Sequence, residues 1–126
     1  MVSSKEINVL TGKVIGLAIK IHKNLGPGYT EKIYEKALIH ELTKDNIEFS
    51  NQIAIEVPYD SIKLGKQRID FIVANEVVVE IKSVSKIIKI FESQLISYLK
   101  ATSKRVGLIL NFGRKRLEIK RLVNRL

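Results

Sequence analysis

Asp70, Glu80 and Lys82 are the residues of this chain best suited to do chemistry. They stand among Ile69, Phe71, Ile72, Val73, Val77, Val78, Val79 and Ile81, in runs that read as strands over 67–73 and 77–82. Residues two apart on a strand share a face, so Glu80 and Lys82 point one way and Ile81 the other. Placing acids and an ammonium on an otherwise apolar hairpin is costly. A divalent cation and a phosphate would neutralise the set. Whether Asp70 joins that face depends on the loop. A two-residue loop at Asn75-Glu76 opposes Asp70 to Ile81, which is the wrong face. A three-residue loop over 74–76, with Asn75 or a neighbour near the left-handed region, opposes Asp70 to Glu80 and Arg68 to Lys82. It also matches Ile69, Phe71 and Val73 with Ile81, Val79 and Val77. Register follows the buried face, so the spacing predicts the three-residue loop.

The elements that must carry these residues follow from periodicity. A first helix is expected over 5–23, with Ser3 and Glu6 at capping-box spacing and Ile7, Leu10, Val14, Leu17, Ala18 and Ile21 as its stripe. Gly26-Pro27-Gly28 stops it. Thr30 caps a second helix over 31–44, with Ile33, Ala37, Leu38 and Leu42 apolar. A strand over 51–59 puts Ile53, Ile55, Val57 and Tyr59 on one face, and residues 60–65 turn the chain into the acidic hairpin. A third helix covers 88–101, with Phe91, Leu95, Tyr98 and Leu99 as its stripe. Residues 105–111 form a short apolar run, as in a buried strand. A turn at Phe112-Gly113-Arg114 leads to a last strand over 117–123. The order α-α-β-β-β-α-β-β describes an α/β sandwich, a mixed sheet flanked by helices.

At 126 residues a single domain is expected, residues 1–126, with the core over about 29–123. No apolar run reaches membrane-spanning length, and the N-terminus enters a cappable helix without a signal-peptide pattern. The chain has no cysteine, which excludes disulfides and thiolate zinc sites and fits a cytoplasmic location. Its 22 Lys+Arg against 13 Asp+Glu give a net charge of +9. Such an excess favours polyanions through phosphate neutralisation, a merely soluble basic protein being the plain alternative. Base crowds Arg114, Lys115, Arg116, Lys120, Arg121 and Arg125, with Lys86, Lys89, Lys100, Lys104 and Arg105 before it. No glycine loop for nucleotides and no Ser/His/Asp triad is present. His22 and His40 lack ligand spacing and read as structural or surface residues.

Asp70 followed by Glu80-Ile81-Lys82 resembles the signature of the PD-(D/E)xK nuclease-like superfamily, with Ile69 where a Pro often precedes the Asp. Gly28-Tyr29-Thr30-Glu31-Lys32-Ile33-Tyr34 is similar to the pattern of its GxxExxY family. Gln94-Leu95-Ile96-Ser97-Tyr98 resembles the QxxxY helix motif of RecB-type exonuclease domains, and i,i+4 residues share a helix face. A His that members often carry three residues before that Gln is Phe91 here. The resemblance covers about 10–123 and implies a restriction-endonuclease-like fold.

It also implies the roles. Asp70 and Glu80, with the Ile81 carbonyl, would hold Mg²⁺ or Mn²⁺, which prefer hard oxygen donors. The plain alternative pairs Asp70 with Lys82 or Arg68. Lys82 would stabilise the attacking water and the phosphate. Glu31 would reach the metal directly or through water, or else simply suit the helix dipole. Gln94 would position phosphate. Tyr34, Tyr98 and Arg68 would touch substrate, Tyr34 and Tyr98 having packing as the alternative. Lys86, Lys89, Arg114, Lys115 and Arg116 would track nucleic acid or form a solvated face. The implied activity is Mg²⁺-dependent hydrolysis of DNA, or less readily RNA. The rivals are a nucleic-acid-binding or assembly module without useful turnover, and a phosphate-transfer or toxin-system component. A homodimer through the first helix or a sheet edge would enlarge the surface.

Overall fold

A computed structural model describes residues 2–124. Arg125, the end of the expected basic run, lies outside the described residues. The order is α1 (Ser4–Leu25), α2 (Glu31–Lys44), β1 (Phe49–Tyr59), β2 (Ile62–Val73), β3 (Val77–Lys82), α3 (Lys89–Thr102), β4 (Val106–Asn111) and β5 (Glu118–Val123). The strands lie in the sheet in sequence order. All neighbours are antiparallel except β3 and β4, whose parallel pairing is made by the α3 crossover.

Local chemistry sets the helix ends. The Ser3 hydroxyl accepts the Glu6 N–H at 3.1 Å and the Glu6 carboxylate faces back to the Ser3 N–H, so the expected capping box is present. Gly26, at φ 69°, ends α1. Thr30 occupies the cap position of α2, yet its side chain makes no cap bond. The expected stripe of α2 is also rotated: Tyr34 is fully buried and Ile33 is 42% exposed. The cause is the Tyr34 hydroxyl, which donates to the Gly26 carbonyl at 2.6 Å and accepts the Tyr29 N–H at 3.2 Å. Its ring stacks on Phe112 with centroids 4.5 Å apart.

The sheet divides the core. On one side Ile7, Val14, Ala18 and Ile21 of α1 and Tyr34, Leu38 and Leu42 of α2 cover Val77, Val79 and Ile81 of β3 and Leu108 and Leu110 of β4. On the other, Leu95, Tyr98 and Leu99 of α3 cover Val78, Ile109 and Ile69. Each fully buried aliphatic side chain contributes about 1.5–3 kcal/mol relative to exposure. Gly107 lets α3 come close, because a Cβ there would stand 2.7 Å from the Leu95 side chain.

The acidic hairpin has the expected register as far as Phe71/Val79, but the expected pairs Asp70/Glu80, Ile69/Ile81 and Arg68/Lys82 do not form, because β2 and β3 part there. Phe71 opposes Val79 and Val73 opposes Val77 across a three-residue turn, with Ala74 and Asn75 at φ 49° and 58°. Three expectations fail. The turn before it is not 60–65 but Asp60-Ser61, both at positive φ, so β2 starts five residues early at Ile62 rather than Gln67. Leu64 is skipped in the pairing, because the register shifts at Val57/Pro58. This interrupts the expected alternation of β1, and Val57, Tyr59, Ile62 and Leu64 are exposed. Ile69, expected beside Ile81, instead packs under α3 while Phe71 and Ile81 face α1 and α2.

Asn111 ties the segments leaving β3 and β4 together. Wholly buried at the end of β4, it accepts the N–H groups of Val84 and Gly113 and donates to Val84 O and Glu118 Oε1, all at 3.0 Å. Gly113 lies against the Ser83–Val84 backbone with no room for a side chain. Asn111→Ala is expected to cost about 3 kcal/mol in chemical denaturation by stranding these groups, and a loss well under 1 kcal/mol would refute the clamp.

Candidate active site

The sheet forks at Asp70 and Glu80. Pairing between β2 and β3 stops at Phe71/Val79, while β2 stays with β1 down to Ile62 and β3 stays with β4 up to Lys82. Carboxylates replace the missing rungs. Glu80 Oε2 accepts the Asp70 N–H at 2.8 Å, and Asp70 Oδ2 accepts the Ile81 N–H at 2.8 Å. By strand alternation Glu80 and Lys82 share the α3 face with Val78, as their spacing requires.

The two acids are unequal. Glu80 is 5% exposed. Burial first, and then the Asp70 charge, push its carboxyl up to about 8. Burial also raises Asp70, opposed by the Ile81 N–H bond and the Lys82 charge. Each carboxylate keeps an oxygen that no backbone group holds. A buried, mutually repelling pair of hard oxygen donors fits a divalent cation, which would supply the missing positive charge. The Ile81 carbonyl lies beside them in sequence. Among the described residues, no three His, Asp or Glu are grouped closely enough to hold an ion by themselves. Glu31 is exposed at the start of α2 and lines, with Lys32, Glu35, Gln52, Arg68 and Asp70, a cavity of about 440 Å³. A larger cavity of about 670 Å³ lies at the other end of the sheet, beside Asn75 and Thr43.

Lys82 stands with its ammonium 4.5 Å from the centre of the Phe91 ring. Among the described residues neither Lys82 nor Arg68 pairs with Asp70. Phe91 thus occupies the expected His position as a cation platform. Tyr98 is 3% exposed and packs in the α3 core. Its hydroxyl faces Gln67 Oε1 at 3.4 Å, and burial followed by the Glu80 and Asp70 charges pushes its pKa up to about 12. Gln94 is half-buried one turn earlier. Of the two readings of Tyr34, packing is the one the fold favours, since the side chain is buried and its hydroxyl is spent on the loop before α2.

The basic residues divide between the two ends of the sheet. Lys86 and Lys89 are exposed after β3, and Arg114, Lys115 and Arg116 are exposed between β4 and β5. Glu118 joins these segments, accepting the Ile87 N–H at 2.9 Å with Arg114 at 3.7 Å. Burial opposes its ionisation, but the bonds from Asn111 and Ile87 and the charges of Arg114 and Lys86 hold its carboxyl below the usual range. Lys104 instead bonds Asn75 at the far end, and Arg105 bonds the Val2 carbonyl. His22 is structural: its Nε2 lies 2.8 Å from the Arg114 carbonyl and its ring stacks on Phe112. His40 is exposed.

The sequence reading missed Gln52 and Glu35. Gln52, at φ 55° inside β1, gives its side-chain amide to Glu35 Oε2 and, at 3.4 Å, to Asp70 Oδ1. Asn51 holds the Asp70 carbonyl at 2.9 Å. Glu35 was detectable as the i+4 neighbour of Glu31.

Glu80 makes the metal-free fold pH-dependent. Its carboxyl near 8 lies above its ordinary 4.5, so the fold binds the extra proton and its contribution is complete below about 4.5. That stability is lost as pH rises through about 8, by several kcal/mol. Glu80→Gln is expected to raise the melting temperature of metal-free protein at pH 9 and flatten its pH dependence. A parallel pH profile for both proteins would refute the assignment.

A family model described as PD-(D/E)XK nuclease superfamily matches residues 8–122. No curated protein matches the chain. The crystal structure of SSO0001 is similar, with 24% identity and a TM-score of 0.57 over 76% of this chain and 51% of that one. This chain therefore spans about half the length of SSO0001. The likeness is one of fold, a restriction-endonuclease-like α/β arrangement.

Proposed function

The chain belongs to the PD-(D/E)XK nuclease superfamily, and on that premise we propose that it is a Mg²⁺- or Mn²⁺-dependent phosphodiesterase that hydrolyses DNA. Within the superfamily we place it in the GxxExxY branch, on Gly28, Glu31 and Tyr34. The observation that carries the reading is the fork, where Asp70 and Glu80 lie side by side with Lys82 near them.

Asp70, Glu80 and the Ile81 carbonyl would hold the ion, with Glu31 reaching it through water from the cavity wall. When bound, the ion neutralises phosphate charge and lowers the pKa of a water. The side chains do the rest. Lys82, its ammonium over the Phe91 ring, offers that charge to a phosphate oxygen and to the attacking water. Water adds to phosphorus, the phosphorus–oxygen ester bond breaks, and the leaving oxygen departs with a proton. Gln94 orients the phosphate from α3. Tyr98 stays a neutral hydroxyl at physiological pH beneath it. Arg68 approaches from the cavity side. Lys86, Lys89 and Arg114–Arg116 draw the polyanion to this end of the sheet by phosphate neutralisation.

Linear and nicked DNA incubated with Mg²⁺ should be cut by the native protein and at least ~100-fold more slowly by Asp70→Asn or Lys82→Ala. Cleavage surviving in both variants would place the chemistry elsewhere. Intact DNA that is nevertheless bound would leave a binding module. In binding measured against salt, removing Arg114, Lys115 and Arg116 together should flatten the logarithmic slope by about 0.9 for each phosphate no longer neutralised. An unchanged slope would remove this rim from the path.

A further inference from the structure

We infer that Gln52 is a positioning residue for the carboxylate of Asp70, acting as a latch between α2 and the fork. The inference rests on Asp70 being a metal ligand.

Three observations converge. Gln52 is the residue of β1 opposite Asp70, flanked by the pairs Asn51/Phe71 and Ile53/Ile69. It is also the residue at which the strand leaves extended geometry, at φ 55°. A side chain other than glycine is held there at a cost, and such strain persists where surrounding contacts over-determine it. Those contacts are visible. The side-chain amide has two hydrogens; one goes to Glu35 Oε2 and the other faces Asp70 Oδ1 at 3.4 Å. With the Ile81 N–H on Oδ2, both oxygens of Asp70 then face donors, which restrains the carboxylate.

The same residue marks where the sheet changes face. Phe49, Phe71 and Val73 pack toward α1 and α2, whereas Ile53, Ile55 and Ile69 pack toward α3. The left-handed residue lets β1 turn with β2 while its side chain reaches α2. Glu35 is the anchor, and Gln52 transmits the position of α2 to Asp70. Partners one bond beyond a metal ligand commonly change metal affinity by about 10- to 100-fold.

Gln52→Gly separates this role from a structural one, because glycine accepts positive φ without strain. The melting temperature should hold or rise. The Ile81 amide resonance should shift and its hydrogen exchange should quicken in metal-free protein, as Asp70 loosens. Calorimetric Mn²⁺ affinity should fall about tenfold or more. Gln52→Asn, which tolerates the left-handed region but is shorter, should give the same pattern should the glycine variant fail to fold. An Ile81 amide indistinguishable from the native one overturns the latch, as does native Mn²⁺ affinity in either variant. If the native protein takes no Mn²⁺, the metal reading falls, and the Ile81 amide alone decides whether Gln52 holds Asp70.

Discussion

The exchange of bonds at the fork, Asp70 N–H to Glu80 and Ile81 N–H to Asp70, is the constraint on which the rest depends. Where two strands part inside a sheet, their amides lose carbonyl partners, and a buried amide without an acceptor costs about 1–3 kcal/mol. Here the acceptors are the acids themselves. The carboxylates therefore cannot be understood as decorations on a finished sheet. They terminate the β2–β3 ladder and so create the opening in which they lie. The same placement sets them against each other: Glu80 is buried beside Asp70 and its carboxyl is pushed up to about 8. A site built this way holds repulsion that a cation would relieve.

The surrounding structure keeps the opening in shape. β3 and β4 run parallel to a common end, and Asn111 fixes the chain leaving β3 to the turn leaving β4. Behind it, His22, Phe112 and Tyr34 form a stacked column that joins α1 and α2 to that end. Tyr34 thereby sets the start of α2, and with it Glu31 and Glu35. Local bonds and core packing thus reach the site through rigid elements rather than through a mobile loop.

Charge is arranged at two scales. The chain as a whole is basic at +9, which favours encounter with polyanions. Close to the fork the balance reverses, with Asp70, Glu80, Glu31 and Glu35 in or around the opening. Phosphate would be attracted by the rim but repelled by the centre until a cation intervenes. Lys82 sits between these fields, its ammonium over Phe91 and its charge lowering both carboxyls.

Local order and composition determined a good deal by themselves. The capping box of α1, the order of helices and strands, and the pairing of Phe71 with Val79 and Val73 with Val77 across residues 74–76 all follow from short-range spacing, because a period of two or 3.6 residues fixes which side chains share a face. The fork, the face change at Gln52 and the skipped residue at Leu64 do not follow from that spacing. The fork lies where β2 leaves β3 and stays with β1, and beyond Val57 the exposed β1–β2 extension has no buried face to fix its register. Whether Tyr34 packs or touches substrate stays open in the sequence, which shows an aromatic side chain one turn after Glu31 but not the Gly26 carbonyl that captures its hydroxyl. Side-chain chemistry was written in the chain; which groups face one another was decided by tertiary packing, since only the folded sheet brings Gln52 and Glu35 to Asp70.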